Sequence, residues 1–140
     1  MSRQKLQAEG GCMCGLVRYR IDGVPGNAGC CHCRSCQRAS GAPYVAWVSI
    51  NRKDFEYLAT PPAQHASSRG VTRGHCVRCG TPMTYENSNY PDQLDLSVAT
   101  LDDPGLIKPA FHIWMSHKLS WVEPGDGLPQ YPEWRPKQED

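Results

Sequence analysis

Cysteine spacing constrains this chain more than any other feature. Seven of its eight cysteines fall into three tight groups, Cys12-Met-Cys14, Cys31-His-Cys33-Arg-Ser-Cys36 and Cys76-Val-Arg-Cys79. C-x-C and C-x-x-C spacings let neighbouring thiolates close on one soft cation. Residues i and i+2 of a strand share a face, so both sulfurs of a C-x-C pair can point at one ion, whereas a disulfide between them would be strained. The opening stretch Met1-Ser-Arg-Gln-Lys-Leu-Gln-Ala-Glu9 lacks the apolar core of a signal peptide. A reducing, cytoplasmic setting is therefore expected, and with it metal thiolates in preference to disulfides.

A length of 140 residues suits one domain with a real core, spanning 1–140 with fraying expected at 1–9 and 137–140. A formal net charge of +1 gives no basic field for a phosphate backbone, which argues against nucleic acid. No stretch approaches the roughly 20 apolar residues that span a bilayer, so no membrane association is expected.

The pattern along the chain is mostly β. Leu16–Ile21 alternates Val17, Tyr19 and Ile21 against Arg18 and Arg20, the period of a half-buried strand, which sets Cys12 and Cys14 at the mouth of a hairpin. A second strand over Ala28–Cys33 delivers the central cysteines, and Ser35–Ser40 reads as a helical turn ended by Gly41. Tyr44–Ile50 reads as a central strand, followed by Phe55–Leu58 and an edge strand at Gln64–Ser68. Gly70–Gly74 reads as a loop, and Met83–Glu86 and Leu94–Val98 as strands. In Phe111–Met115, Phe111, Ile113 and Met115 are expected to face the core, with His112 and Trp114 facing the site. One helical turn or two is expected over Ser116–Val122, then an irregular Gly125–Pro136 held down by Tyr131 and Trp134.

Seven thiols divide into two zinc-sized sets, so two zinc ions per chain are expected. Cys12, Cys14, Cys76 and Cys79 make a closed tetrahedral set of the structural kind. Cys31, Cys33 and Cys36 supply three ligands and leave a fourth position open, as catalytic zinc requires. The competing reading fills that position with His32, Cys30 or a distant histidine and makes this site structural too. His65 and His75 read as surface residues, and Trp47, Trp121 and Trp134 more as core than as a ligand platform. Arg34 and Arg38 flank the three-cysteine set and can offset its charge or bind a substrate carboxylate.

With these residues placed, the chain resembles the glutathione-dependent formaldehyde-activating enzyme family, which also includes centromere protein V. Gly11-Cys-Met-Cys-Gly15, Cys31-His-Cys-Arg-Ser-Cys-Gln-Arg-Ala-Ser-Gly-Ala-Pro43, Cys76-Val-Arg-Cys-Gly-Thr81 and Pro109-Ala-Phe-His-Ile-Trp114 are similar to its motifs, and the match covers nearly the whole chain. The resemblance implies a β-tent fold, structural zinc on the four-cysteine set and catalytic zinc on the three-cysteine set. It also implies carbon–sulfur lyase chemistry, the formation of S-(hydroxymethyl)glutathione from formaldehyde and glutathione. On that reading a small thiol such as glutathione binds near Arg34, Arg38, Trp47 and Trp114, with His112 as a proton shuttle. The alternative is a non-catalytic zinc module that binds a protein partner. The oligomeric state is not encoded in any of these motifs.

Overall fold

A computed structural model describes residues 4–136. Ten strands form two sheets. A three-stranded antiparallel sheet has the order β1 (Leu6–Gly11), β2 (Arg18–Gly23), β5 (Phe55–Tyr57). The larger sheet contains β3 (Ala28–Cys31), β4 (Val45–Asn51), β6 (Ala63–Ser68), β7 (Val71–His75), β8 (Pro82–Asn87), β9 (Gln93–Ser97) and β10 (His112–Ile113), in the order β10-β3-β4-β9-β8-β7-β6. All pairings are antiparallel except β10 with β3. The one α-helix among the described residues, α1 (Arg34–Ser40), ends at Gly41 in the left-handed region with φ of 69°. The mostly β architecture expected from the sequence is the one observed, with two cysteine clusters placed so that they could hold metal.

Strand periodicity sorts the large sheet into two faces. Val48 and Ile50 on β4, Met83 on β8 and Leu94 and Leu96 on β9 are buried against Val17, Tyr19 and Ile21 of the small sheet, forming the main core. Burying each such aliphatic side chain contributes about 1.5–3 kcal/mol. The intervening residues Trp47, Ser49 and Asp95, and Tyr85, which a register shift in the β7–β8 pairing at Gly74–His75 sets on the face opposite Met83, line a cavity on the other face. The tyrosine inside the core keeps its hydroxyl satisfied, since Tyr19 Oη and Thr100 Oγ1 lie 2.8 Å apart.

Several expectations need correction. The stretch 1–9, expected to fray, contributes β1 from Leu6, because Leu6 and Ala8 pack on the core while β1 pairs with β2 along its full length. Fraying at 1–3 and 137–140 concerns positions outside the described residues. Gly70–Gly74 is not a loop: Gly70, with φ of 74°, makes the turn and Val71–His75 is β7. Gly74, which reads as a breaker, sits inside that strand because a side chain there would collide with Thr84 and Pro62. A 3-10 turn at Arg52–Asp54 was not expected, and Ser116–Val122 shrinks to a 3-10 turn at Met115–His117.

The largest difference concerns Phe111–Met115. Phe111, Ile113 and Trp114 line the cavity, while His112 is buried behind the sheet at 1% exposure. The faces are reversed, and Trp114 adopts φ of 58°, which breaks the alternation and brings its ring to the side of Ile113. Trp121 and Trp134 are not core residues but 71% and 64% exposed. The proline-rich tail is nonetheless held down, by backbone hydrogen bonds from His112 N–H to Pro129 O, Tyr131 N–H to His112 O and Trp114 N–H to Glu133 O.

Candidate metal centres and the adjoining cavity

Two turns build the four-cysteine cluster. Cys12 and Cys14 lie in the β1–β2 connection, Cys76 and Cys79 in the β7–β8 connection, and their four sulfurs lie within 4.8 Å of one another. Each turn closes on a glycine in the left-handed region, Gly15 at φ 83° and Gly80 at φ 81°, where a side chain would strain the backbone. Cys12 Sγ to Cys14 Sγ is 3.6 Å and Cys14 Sγ to Cys76 Sγ is 3.8 Å. A tetrahedral ion with metal–sulfur bonds of about 2.3 Å sets its sulfurs about 3.8 Å apart, so the donor set fits zinc in size as well as chemistry.

Backbone N–H groups aim at these sulfurs, from Val17 to Cys12 at 3.3 Å and from Arg78 and Cys79 to Cys76 at 3.4 Å. Donors of this kind stabilise thiolate over thiol. The Thr81 hydroxyl lies 3.1 Å from Cys79 Sγ and, with the Thr81 backbone, holds that thiol down at about 5. Thr81 Oγ1 also accepts the Met13 N–H, tying the two cysteine turns to each other.

The three-cysteine cluster is local. Cys31 ends β3, Cys33 is the N-cap of α1 with its sulfur accepting the Cys36 N–H at 3.3 Å, and Cys36 follows in the first turn. The three sulfurs also lie within 4.8 Å of one another. Hydrogen bonds from Cys31 and Cys36 push the Cys33 thiol well down, and the Cys31 thiol is pushed up as their donor. So crowded a set favours collective ionisation at a cation.

No fourth cysteine, histidine or carboxylate joins this set among the described residues. His32 turns to the opposite face, where its Nε2 lies 2.8 Å from His112 Nδ1 and its ring stacks on Tyr44. Cys30 shares that face, and burial pushes its thiol up to about 11. What reaches the cluster instead is Arg73 of β7, whose guanidinium nitrogens lie 3.8 and 4.0 Å from Cys36 Sγ.

The cluster opens on a cavity of about 950 Å³, near the upper end for small-molecule sites. Of the substrate residues expected from sequence, Arg34, Trp47 and Trp114 line it and the exposed Arg38, one helical turn further along α1, does not. His112, expected at the reacting centre, is not among the lining residues; its Nε2 lies 2.8 Å from Asp126 Oδ2 behind the sheet. Sequence reasoning missed Arg73, Tyr85, Asp95, Trp134 and Arg135 as cavity residues. The Arg73 guanidinium lies 5.1 Å over the Tyr85 ring and that of Arg135 4.7 Å over Phe111. A smaller hollow of about 380 Å³ against β1 and β2 contains none of the sulfur ligands.

A family model described as glutathione-dependent formaldehyde-activating enzyme matches residues 7–117. The chain belongs to the glutathione-dependent formaldehyde-activating enzyme family. Both cysteine clusters and β1 through β10 fall within or nearly within the matched span. Among relatives of this family member, a Halomonas elongata protein provisionally named a glutathione-dependent formaldehyde-activating enzyme is 28% identical over 129 residues, 82% of this chain and 79% of its own. An uncharacterized lyase of Schizosaccharomyces pombe is 27% identical over 81 residues, 58% of each chain, so the match spans little more than half of that relative's length. A crystal structure of a Rhodobacter sphaeroides protein has the same fold, with a TM-score of 0.57 at 20% identity over 88% of this chain and 98% of its own. No helix among the described residues is long and apolar enough to cross a membrane.

Proposed function

We propose that the chain is one zinc-dependent domain that acts as a carbon–sulfur lyase-type enzyme on a glutathione or small-thiol adduct, like S-(hydroxymethyl)glutathione synthases. The observation that carries this is a three-cysteine cluster with no fourth protein ligand among the described residues, opening on a cavity lined by arginines and aromatics. In this reading Cys12, Cys14, Cys76 and Cys79 hold a structural zinc, and Cys31, Cys33 and Cys36 hold the second. The second ion, when bound, supplies a position for a thiolate and polarises an adduct oxygen.

The chain's own residues do the rest. In the forward direction a thiol adds to an aldehyde carbon: a carbon–sulfur bond forms, the carbonyl π bond breaks, and the thiol proton ends on oxygen, with no oxidant or reductant consumed. Arg73, beside Cys36, offers N–H donors to the oxygen on which negative charge develops. Trp47 and Trp114 wall the cavity and exclude water from the reacting atoms. His112, turned away from the cavity, takes no part in proton transfer here; with Asp126 and His32 it braces β3 from behind.

The test is exchange spectroscopy with labelled formaldehyde and glutathione on the fully metal-loaded protein. Adduct interconversion above the spontaneous rate, lost in Cys36→Ser, is the expected result. No acceleration, together with unchanged ligand-field bands when glutathione is added to cobalt-substituted protein, favours the partner-binding module instead.

A further inference from the structure

One rung of the large sheet crosses the cavity floor with its charges sorted. Direct cross-strand pairing aligns Arg73 of β7 with Tyr85 of β8, Tyr85 with Asp95 of β9, and Asp95 with Ser49 of β4. All four line the cavity. The cationic end of this row lies beside Cys36, whereas its anionic end lies two strands away, a separation of about 9–10 Å.

Asp95 is an unusual residue to find there. Its Oδ1 accepts the Ser49 hydroxyl at 2.7 Å, and no lysine, arginine or histidine lies within ion-pair range of it among the described residues. Burial raises its proton affinity, with the serine hydrogen bond acting against that. A half-buried carboxylate without a cation costs stability, and a binding site is the usual reason to retain one. Arg73 is its counterpart: no carboxylate pairs with it among the described residues, and its nearest neighbours are a cysteine sulfur and the Tyr85 ring.

We propose that Asp95, oriented by Ser49, is an ammonium-binding subsite, so that the cavity takes a thiol carrying a primary ammonium group remote from its sulfur. This rests on the thiol-adduct reading of the three-cysteine site. The sulfur end of such a ligand lies among Cys31, Cys33, Cys36 and Arg73, and the ammonium reaches across the floor to Asp95. The required reach selects among thiols. In cysteine the nitrogen is too close to sulfur to span two strands, whereas a γ-glutamyl linkage places it about 8–10 Å away in an extended chain. The floor thus fixes polarity as well as length, because a ligand laid in the reverse sense sets its ammonium against Arg73.

The experiment is calorimetric binding to the full, zinc-loaded chain. The probes are glutathione and glutaryl-cysteinyl-glycine, which lacks only the ammonium. Wild type is expected to prefer glutathione by about tenfold or more, as a charge-assisted hydrogen bond predicts. Asp95→Asn should bind both probes alike, at the weaker affinity, and Ser49→Ala should lose part of the preference. Metal content and circular dichroism verify that the variants are folded. Equal affinities in wild type, or an equal loss for both probes in Asp95→Asn, overturn the subsite while leaving the thiol site standing. If neither probe binds wild type and no adduct chemistry is seen, the thiol-adduct reading fails and the subsite with it.

Discussion

The two cysteine clusters use the same ligand and differ in what they hold together. One joins turns far apart in the chain, Cys14 and Cys76 being separated by 62 positions, and it fastens the small sheet to the large one. The other gathers sulfurs between Cys31 and Cys36, a span that β3 and the first turn of α1 already fix. Closing the longer loop costs about 2 kcal/mol more chain entropy, so a metal there removes that much more freedom from the unfolded chain. Cys12 and Cys76 are also members of the main core, whereas Cys31 and Cys36 pack only with Val45 and a fringe of half-buried neighbours. Identical chemistry can thus serve as a fold constraint in one place and as an accessible site in the other.

Cys79→Ser should break the comparison most severely. Structural zinc sites carry apparent binding energies of about 10–16 kcal/mol, as large as a whole domain's stability of about 5–15 kcal/mol. We expect insoluble or molten protein, with the near-ultraviolet circular dichroism lost. Cys36→Ser should instead keep a cooperative melt and about one metal per chain by plasma emission while losing any thiol-adduct activity. If it unfolds as readily as Cys79→Ser, the division between the clusters is wrong.

Metal release sharpens the contrast. On titration with acid or chelator the three-cysteine metal should leave first, since it has fewer protein ligands and an open side, and a second, later release should coincide with unfolding. Simultaneous release read by a chromophoric chelator makes the clusters equivalent.

The smallest effect concerns Asp95. Its folded-state proton affinity is raised by burial, so the ionised form costs stability above its folded pKa, and that cost fades as pH falls through it. Asp95→Asn should therefore raise Tm at neutral pH by about a few degrees, with the gain shrinking toward acid pH. A lower Tm at neutral pH would show that the carboxylate is stabilising where it lies. Gaining stability while losing ligand discrimination is the trade expected of a residue kept for binding.

What the sequence made legible follows the reach of its local rules. Cysteine spacing located the three-cysteine set and each half of the four-cysteine set, because sulfurs i, i+2 and i+3 apart converge without reference to the rest of the fold, whereas joining the two halves takes the packing of the β1–β2 turn against the β7–β8 turn. Alternation found Tyr19 and Ile21 on β2 and Leu94 and Leu96 on β9 for the same reason. Arg73 was missed because glycines at 70 and 74 read as punctuation, although one is a hairpin turn and the other a close approach inside β7. Asp95 was invisible for a different reason: an acid alternating with two leucines is what a solvent-facing strand position carries, and only the third dimension puts a cavity over it. His112 was misplaced because period-two reasoning assigned a face to a five-residue run in which only two residues are strand, and Trp114 leaves the pattern.

The shortness of β10 bears on how such a domain diversifies. Phe111, Ile113 and Trp114 form a cavity wall whose backbone is suspended between β3 on one side and the 129–133 tail on the other, and none of the three is a metal ligand. Insertions or substitutions in the tail can therefore reshape the wall while both sulfur clusters stay as they are. Such a chain can acquire new substrates by remodelling its C-terminal end alone, and related proteins with the same seven cysteines need not share a ligand.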